Sequence, residues 1–147
     1  MAIDVTSSIE IARPRADVAA FSSAPDNVPR WYVNIKSVEW KTPRPPRVGS
    51  RIAFVAQFLG RRLVYTYEIV EFVQGERLVM RTAEGPFPME TSYTWRDSGE
   101  GRTHMTLRNR GSPAGFSRLM TPLIAVAVRR STDRDLLRLK SILEAAG

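Results

Sequence analysis

The chain has 147 residues, 43% hydrophobic and 25% charged, and its 22 Lys and Arg against 15 Asp and Glu give a formal net charge of +7. That length suits one domain with a substantial core rather than two, and the composition lies within the globular range, away from disordered chains. With no cysteine and a single histidine, His104, disulfides, thiolate metal sites, cysteine nucleophiles and histidine-based metal clusters are excluded.

The opening segment Ile3 to Ile11 alternates, with Ile3, Val5, Ser7, Ile9 and Ile11 on one side and Asp4, Thr6, Ser8 and Glu10 on the other. This is the period of a half-buried strand. It lacks the charged start and apolar block of a signal peptide, so the chain is expected to be cytoplasmic. Pro14 suits the first turn of a helix carrying Val18, Ala19 and Phe21, which Ser22, Ser23 and Pro25 end; a second short helix is expected from Pro25 to Trp31.

From Val33 onward alternation dominates: Val38 and Trp40; Ile52, Phe54, Ala56 and Phe58; Leu63, Tyr65, Tyr67 and Ile69. Further strands are expected at about Arg77 to Ala83, Met89 to Arg96 and Arg102 to Arg108, with hairpin turns near Gly60, Gly75 and Gly99. Connections this short exclude parallel pairing, which needs crossovers of a dozen or more residues. After Gly111-Ser112-Pro113 the period becomes helical through Phe116, Leu119, Met120, Leu123, Ile124, Ala127, Leu136, Leu139 and Leu143, with a kink expected at Pro122. The apolar stretch Leu119 to Val128 is interrupted by Thr121 and Pro122 and falls short of the roughly 20 residues that span a bilayer. The expected fold is α+β: a curved antiparallel sheet of about seven strands wrapped around a long C-terminal helix, with two short helices after the first strand.

This layout and several local phrases resemble the START-like (SRPBCC) superfamily, in its polyketide cyclase/dehydrase and lipid-transport branch. The phrases are Pro29-Arg30-Trp31, Val48-Gly49-Ser50-Arg51, Tyr67-Glu68-Ile69-Val70-Glu71-Phe72, Gly75-Glu76-Arg77-Leu78 and Leu136-Leu137-Arg138-Leu139-Lys140. The resemblance covers nearly all of residues 1–147 as one helix-grip domain. It implies a cavity between sheet and C-terminal helix for a lipid, sterol or aromatic polyketide, and it carries fold rather than chemistry.

The sheet residues whose parity turns them toward the helix are the candidate ligand contacts: Phe54, Ala56, Phe58, Tyr65, Tyr67, Met80, Met89, Tyr93, Met105 and Leu107. The helix would add Phe116, Met120, Leu123, Ile124 and Ala127, with Trp31 and Val33 as a lid. For any one of them, ordinary core packing competes with ligand contact. Tyrosine hydroxyls and adaptable methionines on an apolar concave face favour a pocket. Glu84, by its parity with Met80 and Thr82, is a candidate pocket acid against rim exposure, and Arg130, three residues beyond Ala127, is a candidate at one end of the cavity against the cost of burying a charge.

His104 falls on the opposite parity from Met105 and Leu107, which places it on the convex side, out of reach of a substrate. Asp133 and Asp135 sit among helix basics, where pairs three or four residues apart contribute a few tenths of a kcal/mol. No catalytic motif, nucleotide loop, metal ligand set or cofactor is identified. Three functions follow in order. The first is binding of a hydrophobic or amphipathic small molecule in a cavity of several hundred Å³. The second is a cyclase or dehydratase acting on such a ligand through Tyr65, Tyr67, Tyr93, Glu84 or Arg130. The third is a basic module for an acidic protein or RNA, although the aromatic and basic interleaving of single-strand binders is missing. A nucleic-acid partner and stable membrane insertion are not expected, and the protein is expected to be a monomer or homodimer.

Overall fold

In the computed structural model, which describes residues 3–58, 60–112 and 120–146, seven antiparallel strands form one sheet in the order β1-β7-β6-β5-β4-β3-β2. The strands are β1 (Ile3–Ile11), β2 (Ile35–Trp40), β3 (Arg51–Phe58), β4 (Arg61–Val73), β5 (Arg77–Glu84), β6 (Met89–Gly99) and β7 (Arg102–Gly111). Between β1 and β2 lie α1 (Arg15–Ser22), a 3-10 turn at Pro25–Asn27 and α2 (Val28–Trp31), and the last element is α3 (Thr121–Ala146). The sheet curves into a half-barrel with α3 along it, the helix-grip arrangement expected above.

Period-2 alternation sets which face is buried. In β1, Ile3, Val5 and Ile11 are buried while Asp4 and Thr6 are exposed. In β4, Leu63, Tyr65 and Ile69 are buried. Register shifts leave Ala83 of β5 extra between the pairs Thr66/Glu84 and Tyr67/Thr82, and Val70 of β4 extra between Ile69/Met80 and Glu71/Val79, and such bulges bend a strand and raise its twist. The turn from β4 to β5 needs Gly75, whose φ of 78° is left-handed.

Within α3 the buried residues Ile124, Ser131, Thr132, Asp135, Leu136, Leu139 and Leu143 form one stripe. Pro122 lies in the helix's first turn, where its missing N–H costs nothing and its fixed φ suits helical entry. The expected kink is therefore a start, and the helical pattern expected from Phe116 to Leu119 lies outside the described residues.

The helix also closes the free edge of β1. Arg129 Nη1 donates to Thr6 O at 3.1 Å, Lys140 Nζ to Glu10 O at 2.8 Å, and Ala12 N–H to Glu144 Oε2 at 2.8 Å. Two carbonyls of β1 and the N–H just beyond it, which a bare edge would offer to another chain, are thus occupied. At this end of the molecule α1 is fastened to β6 by Trp95 Nε1 donating to Ser22 Oγ at 3.0 Å, both side chains being buried. Among the described residues no helix is long and apolar enough to cross a membrane.

Candidate functional site

The concave face divides into a filled half and an open half. Trp31, Tyr93, Trp95, Met105 and Leu107 are essentially inaccessible, and Met80, Ile69, Leu136 and Leu139 pack into the same cluster. Trp31 and Tyr93 have ring centroids 5.7 Å apart, and Tyr93 and Trp95 6.1 Å. Large aromatic side chains meeting across the groove exclude any guest there.

The other half holds a cavity of about 150 Å³. Its walls come from β1 (Ile3), the segment after α2 (Tyr32, Asn34, Ile35), β3 (Phe54, Ala56, Phe58) and β4 (Leu63, Tyr65, Tyr67). Phe87 and Met89, Asn109 of β7, and the α3 residues Ile124, Val128, Ser131, Thr132 and Asp135 complete it. It is smaller than the several hundred Å³ expected from sequence, because the tryptophans and Tyr93 occupy the rest of the groove.

Among the residues selected by parity, Phe54, Ala56, Phe58, Tyr65, Tyr67, Met89 and Ile124 lie on this wall. Trp31, Met80, Tyr93, Met105 and Leu107 have the inward orientation expected but lie in the filled half. Glu84 is exposed: a bulge in β5 at Ala83 sets it opposite Thr66 while Thr82 sits opposite Tyr67, so its parity with Met80 is broken. Met120 and Leu123 are exposed at the start of α3, and Ala127 and Arg130 line a neighbouring depression with Val126 and Arg134. Arg130 is solvated, as the cost of burying its charge requires. Phe116 lies outside the described residues. Val33 is half-buried, and its backbone N–H bonds to Asp135 of α3.

A polar belt separates cavity from core, and most of its groups are bonded to one another. The Tyr32 and Tyr93 hydroxyls are 2.6 Å apart. Thr91 Oγ1 donates to Asn109 Oδ1 at 2.8 Å, Asn109 Nδ2 donates to Thr132 Oγ1 at 3.3 Å, and Asn34 Nδ2 donates to Ser131 Oγ at 2.6 Å. Asp135, 3% exposed, accepts the Val33 N–H on Oδ1 at 2.9 Å. Burial raises its carboxyl from 3.8 to about 7, against the lowering effect of the Val33 N–H and, more weakly, of Arg134 and Arg138. Burial likewise pushes the Tyr67 phenol up to about 12, and raises those of Tyr32, Tyr65 and Tyr93. All four tyrosines are therefore neutral hydrogen-bond donors at physiological pH.

Asp135 is the residue the sequence reading misplaced, as one more charge among the basics of the helix surface. The signal was available, since Ile124, Val128, Thr132, Asp135 and Leu139 follow the helical period. Ser131 and Thr132 were missed for the same reason, and Asn109 by stopping the strand parity at Leu107. Tyr32 and Asn34 stand in a connection with no period to read.

The remaining charges lie elsewhere. His104 is on the convex side with Nδ1 2.6 Å from Glu10 Oε1. Glu10 also accepts the Ser98 hydroxyl, and these two bonds, Ser98 first, hold its carboxyl below the usual range. Several arginines of the sheet meet carboxylates: Arg108 with Asp4 at 2.6 Å, Arg81 with Glu90 at 2.8 Å and Arg51 with Glu68 at 3.0 Å. Arg44 of the proline-rich loop pairs with Asp26 at 3.0 Å and lies over the Trp40 ring. Among the described residues no group of three or more His, Cys, Asp or Glu side chains is placed to hold a metal ion.

Comparison with solved structures finds the same fold at low sequence identity. The TTHA0849 protein of Thermus thermophilus superposes with a TM-score of 0.84 at 19% identity, covering 98% of this chain and 99% of that one. A START superfamily protein from Mycobacterium smegmatis gives 0.82 at 13% identity, with 98% and 99% covered. The Zhui aromatase/cyclase from Streptomyces sp. R1128 gives 0.81 at 13% identity, with 96% and 93% covered. A search of curated proteins gives no match. The family described as polyketide cyclase / dehydrase and lipid transport matches residues 2–144, and with nearly the whole chain spanned, the protein belongs to that family.

Proposed function

We propose that the protein binds a small hydrophobic or amphipathic molecule in the cavity between the sheet and α3. The observation that carries this reading is the cavity of about 150 Å³ itself, apolar and aromatic on most of its wall and polar at the end where Asp135, Asn34 and Ser131 lie. A few polar groups converging in an apolar concavity is the common form of a small-molecule site. The family's description and the START and aromatase/cyclase neighbours support it. Action in the cytoplasm as a monomer or homodimer belongs to the same reading, and cell fractionation and light scattering test it.

The test is a panel of fatty acids, sterols and one- to three-ring aromatics, scored by melting temperature, with native mass spectrometry of the untreated protein alongside. A ligand at 100 times its Kd raises stability by about 2.7 kcal/mol. Ala56→Phe, which fills the cavity from its wall, is expected to abolish the shift while leaving the unliganded melting temperature within a few degrees. No shift with any compound, and no copurified molecule, overturns the reading.

One observation favours an enzyme as a second reading. A buried carboxyl raised to about 7 is matched to proton transfer near neutral pH, and the paired Tyr32 and Tyr93 hydroxyls lie in the same belt. Turnover of a keto-aromatic substrate that disappears in Asp135→Asn supports it, whereas binding without turnover leaves a carrier.

A further inference from the structure

The polar belt leaves one carboxylate oxygen open. Tyr32 bonds to Tyr93, Asn34 to Ser131, and Thr91 to Asn109, which bonds to Thr132. Asp135 accepts only the Val33 N–H, on Oδ1, and its Oδ2 has no hydrogen bond from the described residues. It is the only buried acidic residue among those described, and no described cation pairs with it. A shortage of cations is not the reason, since the chain carries 22 Lys and Arg. Arg134 and Arg138, its neighbours on the helix, are exposed and act on it weakly through space without forming an ion pair.

The wall beside this carboxylate is a run of rings. Phe54 and Tyr67 have centroids 5.9 Å apart, Tyr65 and Tyr67 5.9 Å, and Tyr65 and Phe87 5.8 Å. Aromatic faces carry the negative side of a quadrupole and attract a desolvated cation within about 6 Å. A lone buried carboxylate and several rings on one cavity wall together favour positive over negative charge in a guest. The overall charge of +7 acts against a cation at long range, but salt screens it beyond about 8 Å in physiological solution. Contacts inside the cavity are screened far less.

We propose that the cavity takes a small organic cation, an arylalkyl ammonium, whose nitrogen is received by Asp135 and whose ring lies among Phe54, Tyr65, Tyr67 and Phe87. This rests on the binding reading above and gives that site its ligand class. A neutral phenol or alcohol satisfies one lone pair but leaves the carboxylate charge uncompensated, and a carboxylic acid sets two like charges together. Size agrees: a cavity of about 150 Å³ admits a ligand of roughly one ring, as apolar cavities of that volume take benzene.

The experiment compares 2-phenylethylamine, 2-phenylethanol and phenylacetate by calorimetry on the unmodified protein at pH 8.0 and pH 5.5, with toluene as an apolar probe. The charged or titratable groups around Asp135 are the Tyr32 and Tyr93 phenols and, on the same cavity wall, those of Tyr65 and Tyr67, all neutral in this range, with the exposed Arg134 and Arg138, charged throughout. The pH dependence therefore reads Asp135. The amine is expected to bind at least ten-fold more tightly than the alcohol at pH 8.0 and to lose most of that margin at pH 5.5, while the alcohol is unaffected. Asp135→Asn, checked for folding by circular dichroism, is expected to bind the alcohol as before with no preference for the amine.

Equal affinities for amine and alcohol, or tightest binding of phenylacetate, overturn the cation assignment while leaving the binding reading standing. Failure of all four probes, toluene included, together with the absence of any melting shift across the wider panel, overturns both.

Discussion

At the scale of single residues, Asp135 carries a stability cost that its surroundings do not offset. A carboxyl whose folded value, about 7, lies above its ordinary 3.8 holds its proton more tightly in the folded chain than in the unfolded one. Below about pH 4 both states are protonated and there is no penalty. As pH rises through the window from 3.8 to about 7 the unfolded chain loses its proton first and stability falls, and above that window the penalty is complete. The shift corresponds to about 4 kcal/mol at most, at 1.36 kcal/mol per unit. Asp135→Asn is therefore expected to be more stable relative to the parent at pH 8 than at pH 4, by up to about 4 kcal/mol, and urea denaturation at the two pH values measures it. An unchanged difference removes the titration argument. A side chain retained at such a cost fits the common trade of stability for function.

At the scale of elements, α3 is both a wall of the cavity and a core-forming helix, and its two faces behave differently. Leu139 is inaccessible, whereas Leu137 is 58% exposed. Leu139→Ala is expected to cost about 2–5 kcal/mol, the range for deleting a buried leucine side chain. Leu137→Ala is expected to stay within about 0.5 kcal/mol, the usual effect of a surface substitution. Guanidinium unfolding of both variants checks the pair, and similar losses in the two would mean the buried stripe has been misassigned.

The elements also show why much of the fold was legible in the sequence while less of the site was. Strand alternation such as Ile52, Phe54, Ala56 and Phe58 reports which face is buried, but buried residues filling a core and lining a void give the same pattern. Whether a groove is open depends on the volumes that meet across it, here Trp31 against Tyr93 and Trp95, and those come from distant parts of the chain. Glu84 failed through one bulge, since a single extra residue reverses every side chain beyond it. Asp135 was hidden by charge: an acid among arginines reads as a surface pair, and only its helical phase with Thr132 and Leu139 says otherwise.

At the scale of the whole molecule, positive charge is distributed rather than gathered. Arg51, Arg77, Arg81, Arg108 and Arg110 of the sheet each lie within 4.0 Å of a carboxylate. Pairing of this kind uses the cations a polyanion would need, so it supports solubility more than recognition. The sheet itself is a simple sequence of neighbours from β2 to β7, and β1 alone pairs out of order, its Ile3 set against Gly111 and its Ile11 against Thr103.

That one non-local pairing has a consequence for synthesis. β1, which is translated before the other six strands, finds its partner only after β7 has emerged, and its free edge meets its contacts only when α3 docks. Until then β1 is an unpaired strand, and the cavity, which draws on Ile3 and on α3, does not exist. Loop closure over such separations is slow compared with hairpin formation. Pulse-labelled hydrogen exchange during refolding is expected to show amides of β3 to β6 protected early, with β1 and α3 gaining protection together in a later step. Earlier protection of β1 would mean that it first pairs elsewhere. On a ribosome, then, whatever occupies this site meets it only once α3 has come free, so capture of a ligand waits on the docking of that helix.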